Sequence, residues 1–210
     1  AANREMLPDP VVPLGLLYVM GAVSNTHEVT LVDLCFENDP LATLKQRIGT
    51  FSPDLVAIGM RNIQNADYTD ISGTLGYYDR LIQTVRTSTS SRIAMGGGGF
   101  SVMPEALMHR FRLDYGICGE GENAFAALID ALDANANDLG GIAGLVYFKD
   151  GQLRSNPVGT RKLANLDLLS RPRRDLVDPR YYALPKTASV QTKRGCAMQC
   201  EDCTYPQIEG

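Results

Sequence analysis

Along the first 150 residues, short runs that are apolar almost throughout alternate with longer stretches in which apolar positions recur every three or four residues. The short runs are 29–33 (VTLVD), 54–60 (DLVAIGM), 92–96 (RIAMG) and 114–118 (DYGIC). A strand buried on both faces has this signature, because neither face can carry polar side chains. Helical spacing marks 14–24, 40–49, 69–87, 103–110 and 122–133, with Pro40 and Pro104 where a first helical turn tolerates proline. Strand and helix in alternation predict right-handed crossovers and a doubly wound parallel sheet of the α/β class. Segment 143–156 differs: GLVYF, KDG and QLRSN predict a β-hairpin turning at Asp150-Gly151. A doubly wound unit opens on a strand, yet this sequence runs from a loop-like Ala1-Ala2-Asn3-Arg4-Glu5 towards a helix at Leu14. The expectation is a first strand that is missing or reduced to a stub, in a fragment cut at both ends.

Open parallel sheets bind ligands at the carboxyl ends of their strands. The loops to weigh are therefore Pro8 to Gly15 (with Pro13, Leu14 and Gly15 at its end), Arg61-Asn62-Ile63-Gln64-Asn65, Gly96-Gly97-Gly98-Gly99-Phe100-Ser101 and Gly119-Glu120-Gly121-Glu122. Four glycines in a row let a backbone approach a bulky ligand and expose N–H donors. A tight turn without chemical consequence is the alternative. No GxxxxGK[ST] occurs and no GxGxxG opens a helix, so ATP or NAD is poorly supported.

Composition and charge narrow the classes. The 210 residues are 44% hydrophobic and 7% aromatic, without tryptophan, which excludes a disordered polyelectrolyte, a collagen-like repeat and a small disulfide scaffold. No apolar run approaches the roughly 18 residues of a membrane span, and no charged-then-apolar segment argues for export. A formal net charge of −4 gives no support to nucleic-acid binding. The charge is uneven: residues 1–150 are acidic, 151–194 carry 10 basic against 3 acidic side chains, and 195–210 are acidic again. Together with Pro157, Pro172, Pro179 and Pro185, this places a boundary near residue 150 followed by a basic connector. The connector reads as a solvated linker, or as a surface docking on the acidic domain or on an anionic substrate.

The five cysteines are unevenly placed. Cys35 and Cys118 end predicted strands and read as small buried hydrophobes, although Cys118 adjoins a ligand loop. Cys196-x3-Cys200-x2-Cys203 is a different object: three thiols close enough in sequence to converge on one centre. An odd, clustered set without a signal peptide points to metal or cluster chemistry in a reducing compartment, taken here as the cytoplasm. A closed zinc site wants four ligands, and no histidine follows His109 to complete one locally. A four-iron cluster held by three cysteines leaves one iron open. Elsewhere, His27, His109, Met103 and Met108 read as packing or surface residues. Glu120 and Glu122 are either an acid/base pair or, with less chemistry, a loop carboxylate and a helix N-terminal one.

At these cysteines the sequence resembles the radical S-adenosylmethionine (SAM) enzymes, whose hallmark is Cys-x3-Cys-x2-Cys. Thr192-Lys193-Arg194-Gly195-Cys196 and Cys203-Thr204-Tyr205-Pro206 resemble its setting in the cobalamin-dependent branch. The upstream stretches Pro13-Leu14-Gly15-Leu16-Leu17-Tyr18, Arg61-Asn62-Ile63, Gly97-Gly98-Gly99-Phe100-Ser101 and Gly119-Glu120-Gly121-Glu122 look like the cobalamin-binding domain that precedes the barrel there. The resemblance implies a Rossmann/flavodoxin-like cobalamin-binding domain over 1–148, a hairpin and basic linker over 149–188, and the truncated start of a radical SAM barrel over 189–210. It implies a [4Fe-4S] cluster on Cys196, Cys200 and Cys203 whose open iron chelates SAM. One electron from a reductant would then cleave SAM to a 5′-deoxyadenosyl radical. It further implies cobalamin held by Pro13, Leu14, Gly15, Arg61, Asn62, Gly97, Gly98, Gly99, Phe100, Gly119, Glu120 and Gly121, and methyl transfer to, or rearrangement of, a small-molecule substrate. The whole protein would be the enzyme, and this fragment alone inactive. Three departures stand out. Glu201-Asp202 replace the usual apolar and aromatic pair before the last cysteine and should disfavour a reduced cluster. The Asp-x-His-x-x-Gly that supplies a cobalt-ligating histidine elsewhere is missing. Most of the barrel is also absent. The other reading of the chain is a non-catalytic flavodoxin-like module that binds cobalamin or a nucleotide, its cysteine tail vestigial or zinc-binding.

Overall fold

A computed structural model describes residues 10–23, 25–63, 73–158, 166–183, 188–196, 198, 200, 201, 203, 204 and 208. The elements are α1 (Leu14–Val23), α2 (Pro40–Phe51), β1 (Leu55–Gly59), α3 (Gly73–Ser88), β2 (Arg92–Gly96), α4 (Gly98–Val102), α5 (Pro104–Phe111), β3 (Tyr115–Ile117), α6 (Gly121–Asp133), β4 (Leu145–Lys149) and β5 (Gln152–Ser155). The five strands form one sheet in the order β1-β2-β3-β4-β5. β1, β2 and β3 run parallel, in the register Val56 to Ile93 and Met95 to Gly116. β4 is antiparallel to β3 and β5 to β4, so the predicted hairpin extends the same sheet and makes it mixed.

Both faces of the sheet are covered, as the apolar runs required. Ile93 and Met95 of β2 join the core built with α2, α3 and α5, while Ala94 between them joins the core built with α1 and α6. Val146 of β4 faces the first core, and Leu145 and Tyr147 the second. This is the period-two alternation of a strand that is apolar on both sides. Helix starts follow local chemistry. Asp39 accepts the Ala42 N–H at 3.0 Å ahead of Pro40, and α2 ends where Ser52 turns left-handed at φ 51°.

Two sequence expectations are corrected. Segment 29–33 forms no strand. A strand exists only where its backbone is paired in a ladder, and none of the described strands pairs with this segment, the outer edge of β1 included. The apolar side chains of this segment still pack: Val29, Leu31 and Val32 lie partly buried against the cores. The glycine run, expected as an open loop, closes into α4, with Ser101 N–H donating to the Gly97 carbonyl at 3.0 Å.

The connector is seated rather than solvated over its described part, 166–183. Arg173 N–H donates to the Leu17 carbonyl at 3.1 Å, and a Cβ on Gly21 of α1 would lie 2.2 Å from the Arg171 carbonyl oxygen. Val177 and Tyr181 are buried with Val12, Leu17 and Cys35. The Tyr181 ring meets Phe36 edge-on at 4.7 Å, and the Arg180 guanidinium lies 4.4 Å from the Phe36 centroid. The ion pairs Arg173–Asp175 and Arg180–Asp178 are local and exposed, so packing carries this docking. Tyr181→Ala is therefore expected to cost about 3–5 kcal/mol, as deletion of a buried aromatic ring does. Urea unfolding followed by circular dichroism measures it, and a loss near zero would mean that the segment does not hold to α1.

Candidate functional site

Because β1, β2 and β3 are parallel, their carboxyl ends open on one edge of the sheet. There Met60-Arg61-Asn62 follows β1, Gly97 follows β2 and Cys118-Gly119-Glu120 follows β3. In addition to the ladder, two residues tie the three loops together. Met60 N–H donates to the Gly96 carbonyl at 2.8 Å, and its own carbonyl accepts the Gly99 N–H at 3.0 Å. The Ser101 hydroxyl donates to the Gly97 carbonyl and accepts the Gly119 N–H, each at 3.0 Å. Ser101 was legible only as part of a loop; its role as a clasp depends on α4, which the sequence reading missed.

The glycines serve two purposes. At Gly97 (φ 102°) a Cβ would sit 2.6 Å from the Met60 carbonyl oxygen, and at Gly99 a Cβ would sit 2.7 Å from the Asn62 carbonyl carbon. These two glycines let one loop lie on another. At Gly15 a Cβ would meet nothing within 4 Å, and at Gly98 its nearest neighbour would be the Arg61 carbonyl oxygen at 3.4 Å. Gly15 thus leaves backbone open at the edge, whereas Gly98 is in contact, with Ile208 Cγ2 also 3.9 Å from such a Cβ. Gly15, Arg61, Asn62 and Gly97 are exposed, and Pro13, Leu14, Gly98, Gly119, Glu120 and Gly121 half-buried. Phe100 is fully buried and stacks where a Cβ on Gly116 would stand. The structure therefore places Phe100 in the core beneath the edge.

A residue that the sequence marked only as part of the Thr192 to Cys196 motif organises one end of the edge. Arg194 extends Nη1 to Glu120 Oε1 at 3.2 Å and Nη2 to Glu122 Oε1 at 2.5 Å. Its guanidinium lies 5.4 Å from the centre of the Tyr18 ring on α1. Burial pulls the Arg194 pKa down, but hydrogen bonds and attraction from Glu122 and then Glu120 more than offset this and hold it above the ordinary value. Glu122 is buried in the first turn of α6. With both carboxylates engaged by one guanidinium, an acid/base pair is not the arrangement found here. The signal in the sequence was Arg194 itself, inside Thr192 to Cys196, but its partners lie 74 and 72 residues away.

Cys35 and Cys118 are buried, and burial pushes the Cys118 thiol up to about 11, which keeps it protonated and inert. His27 lies between Asp130 and Asp133 at 3.5 Å from each, and the His109 ring meets Phe148. Cys196 is half-buried, whereas Cys200 and Cys203 are exposed, and all three thiols are free. Cys203 N–H donates to the Cys200 carbonyl at 3.3 Å, closing a turn. Among the described residues, no three His, Cys, Asp or Glu side chains are gathered closely enough to hold a metal ion. Nor, among them, is any helix long and apolar enough to cross a membrane.

Comparison with known proteins adds to this geometry. Residues 5–129 match the family described as B12 binding domain. Over 195 residues the chain is 28% identical to an uncharacterized methyltransferase of Pyrococcus horikoshii, covering 91% of this chain and 40% of that protein. It is 30% identical over 132 residues to a tryptophan 2-C-methyltransferase of Streptomyces laurentii, covering 62% and 22% of the two chains. Among solved structures, the radical S-adenosylmethionine methyltransferase TsrM from Kitasatospora setae superposes with a TM-score of 0.80 at 28% identity, covering 98% of this chain and 40% of TsrM. That structure holds a tryptophan substrate and a SAM analog, and another of the same protein holds cobalamin and a [4Fe-4S] cluster. The chain thus spans less than half the length of these relatives. With a mixed sheet whose parallel strands open on a glycine-lined edge, and with a family match across 5–129, the chain belongs to the B12 binding domain family and is similar to the cobalamin-dependent radical SAM methyltransferases over that stretch.

Proposed function

We propose that this chain is the cobalamin-holding part of a radical SAM methyltransferase together with the opening segment of its cluster domain. The division we assign is 1–148 for cobalamin, 149–188 for the hairpin and the docked connector, and 189–210 for the cysteine loop. One observation carries the reading: three loops at the carboxyl edge are locked to one another by Met60 and Ser101, yet Gly15 leaves backbone open beside them. A large planar ligand needs such a floor, rigid beneath and bare on top.

In this reading Pro13, Leu14, Gly15, Arg61, Asn62, Gly97, Gly98, Gly119 and Gly121 line the corrin site, and Gly99 and Phe100 support it from below. Glu120 reaches the edge only together with Arg194. Free thiols at Cys196, Cys200 and Cys203 suit a [4Fe-4S] cluster by donor chemistry, since thiolates are its usual ligands. When bound, cobalamin and a SAM-chelating cluster supply methyl-group and one-electron chemistry. The chain's part is to bind, to orient and to keep the two groups on one side of the sheet. Methylation at carbon in a small-molecule substrate is the reaction assigned to the parent protein, by likeness to the tryptophan methyltransferase, with an external one-electron reductant.

The test is composition. After equilibration with hydroxocobalamin and desalting, the chain should retain about one corrin, and after anaerobic reconstitution about four irons and four sulfides. Absorbance and iron analysis read both. A chain that keeps neither is a flavodoxin-like module without this chemistry.

A further inference from the structure

The pairing of Arg194 joins two parts of the molecule that the proposed function treats separately. Glu120 and Glu122 belong to the turn between β3 and α6, on the cobalamin edge. Arg194 belongs to the segment that ends in the cysteine loop. Between Arg194 and Cys196 stands only Gly195, at φ 75°. That left-handed turn redirects the chain at once, so Cys196 follows Arg194 within about 7 Å of backbone.

The contact is not an ordinary surface ion pair. The Arg194 side chain is 13% exposed and that of Glu122 only 6%, so water cannot easily take the place of either. Breaking such a pair leaves a charge stranded away from solvent. A planar guanidinium that reaches two carboxylates with different nitrogens also fixes its own orientation, which a lysine ammonium cannot do. Tyr18 limits the guanidinium on a further side, from α1, the helix whose start carries Gly15.

We propose that Arg194 is a positioning residue: by engaging Glu120 and Glu122 together, it fixes the cysteine loop against the cobalamin edge. The inference rests on the cobalamin and cluster assignment above. Its consequence is linkage. If one guanidinium holds both segments, ordering the β3–α6 turn by a bound corrin also orders the cysteine loop, and ordering the cysteine loop favours the corrin by the same factor. The two cofactors would then be installed against a common reference rather than on two independently moving segments.

Thiol labelling tests this without requiring turnover. Cys200 and Cys203 are exposed and serve as internal standards for half-buried Cys196. In the 210-residue chain free of iron, alkylation of Cys196, followed by peptide mass spectrometry, should run several-fold slower than that of Cys200, and slower again once hydroxocobalamin is added. Arg194→Gln should raise the Cys196 rate about fivefold, towards that of Cys200, and abolish the effect of cobalamin, as expected when a local closing contact is lost. Arg194→Lys should fall between, because it keeps the charge and loses the fork. Should Arg194→Gln not fold by circular dichroism, Glu120→Gln removes the more exposed partner and should give the same shift in smaller measure. A ratio of Cys196 to Cys200 labelling that stays within about twofold of wild type in a folded variant overturns the proposal. Failure of the underlying assignment looks different: the unaltered chain would then retain no corrin, whatever its labelling pattern.

Discussion

Replacing any one of Cys196, Cys200 and Cys203 with serine is expected to take the reconstituted chain from about four irons to fewer than about one, while the iron-free variants still bind cobalamin as the iron-free parent chain does. A cluster held by three protein thiolates has no spare ligand, and serine's hydroxyl, protonated at neutral pH, does not replace a thiolate. The fold should not notice the change. Cys200 and Cys203 are exposed and Cys196 half-buried, and surface substitutions usually stay within about 0.5 kcal/mol. Cys35→Ser and Cys118→Ser supply the opposite control. Both thiols are buried, at 3% and 9% exposure, so a polar hydroxyl there should lower stability while the iron count survives. Iron analysis and thermal melts on the five single variants separate the two groups. Four irons persisting in any of the three loop variants, or an equal loss in Cys118→Ser, would assign the cluster to the wrong residues.

The elements themselves were largely legible, for physical reasons that can be named. Residues 92–96 read as a doubly buried strand and form β2 over the same residues; 54–60 and 114–118 read likewise and form β1 and β3 a residue or two shorter. Pro40 and Pro104 marked the starts of α2 and α5 because a first turn has no use for the missing N–H. What failed was whatever depended on a partner elsewhere. The apolar pattern of 29–33 showed that these residues pack, but a strand also needs a neighbouring backbone, and none of the described strands pairs with it. The basic connector read by composition as a solvated linker or as a docking surface, and Val177 and Tyr181, both buried on α1 and the 31–36 segment, decide for docking. A composition window averages such anchors away. Arg194 was legible as a motif residue and illegible as a clasp, since nothing local announces partners more than seventy residues distant.

The glycine run gives the other large effect, and it shows why a correct site can be read for an incomplete reason. The sequence offered Gly96 to Gly99 as backbone cleared for a ligand. The structure divides that work: Gly98 is half-buried, where a Cβ would touch the Arg61 carbonyl at 3.4 Å, whereas Gly97 and Gly99 clear closer space for the Met60-Arg61-Asn62 loop. Gly99→Val should therefore act on the ligand through its neighbour. A Cβ at 99 would stand 2.7 Å from the Asn62 carbonyl carbon and 2.9 Å from Met60 Cγ. Met60 is fully buried and held at Cγ, so it and the backbone at Asn62 yield only by moving the loop. Overpacking of this kind costs about 1–3 kcal/mol. If the loop moves to relieve it, Arg61 and Asn62 leave their places on the cobalamin floor, and the same free energy appears as an affinity loss of about 5- to 150-fold. Hydroxocobalamin titration followed by absorbance measures the loss, and a circular dichroism melt shows whether the fold survives. Gly15→Ala separates the ligand's need for space from the protein's. A Cβ there meets no protein atom within 4 Å, and α1 should gain up to about 1 kcal/mol of helix propensity. Any affinity lost by Gly15→Ala would then come from contact with the corrin itself. Affinity unchanged in Gly99→Val, with the fold intact, would remove the interlocked loops from the binding site.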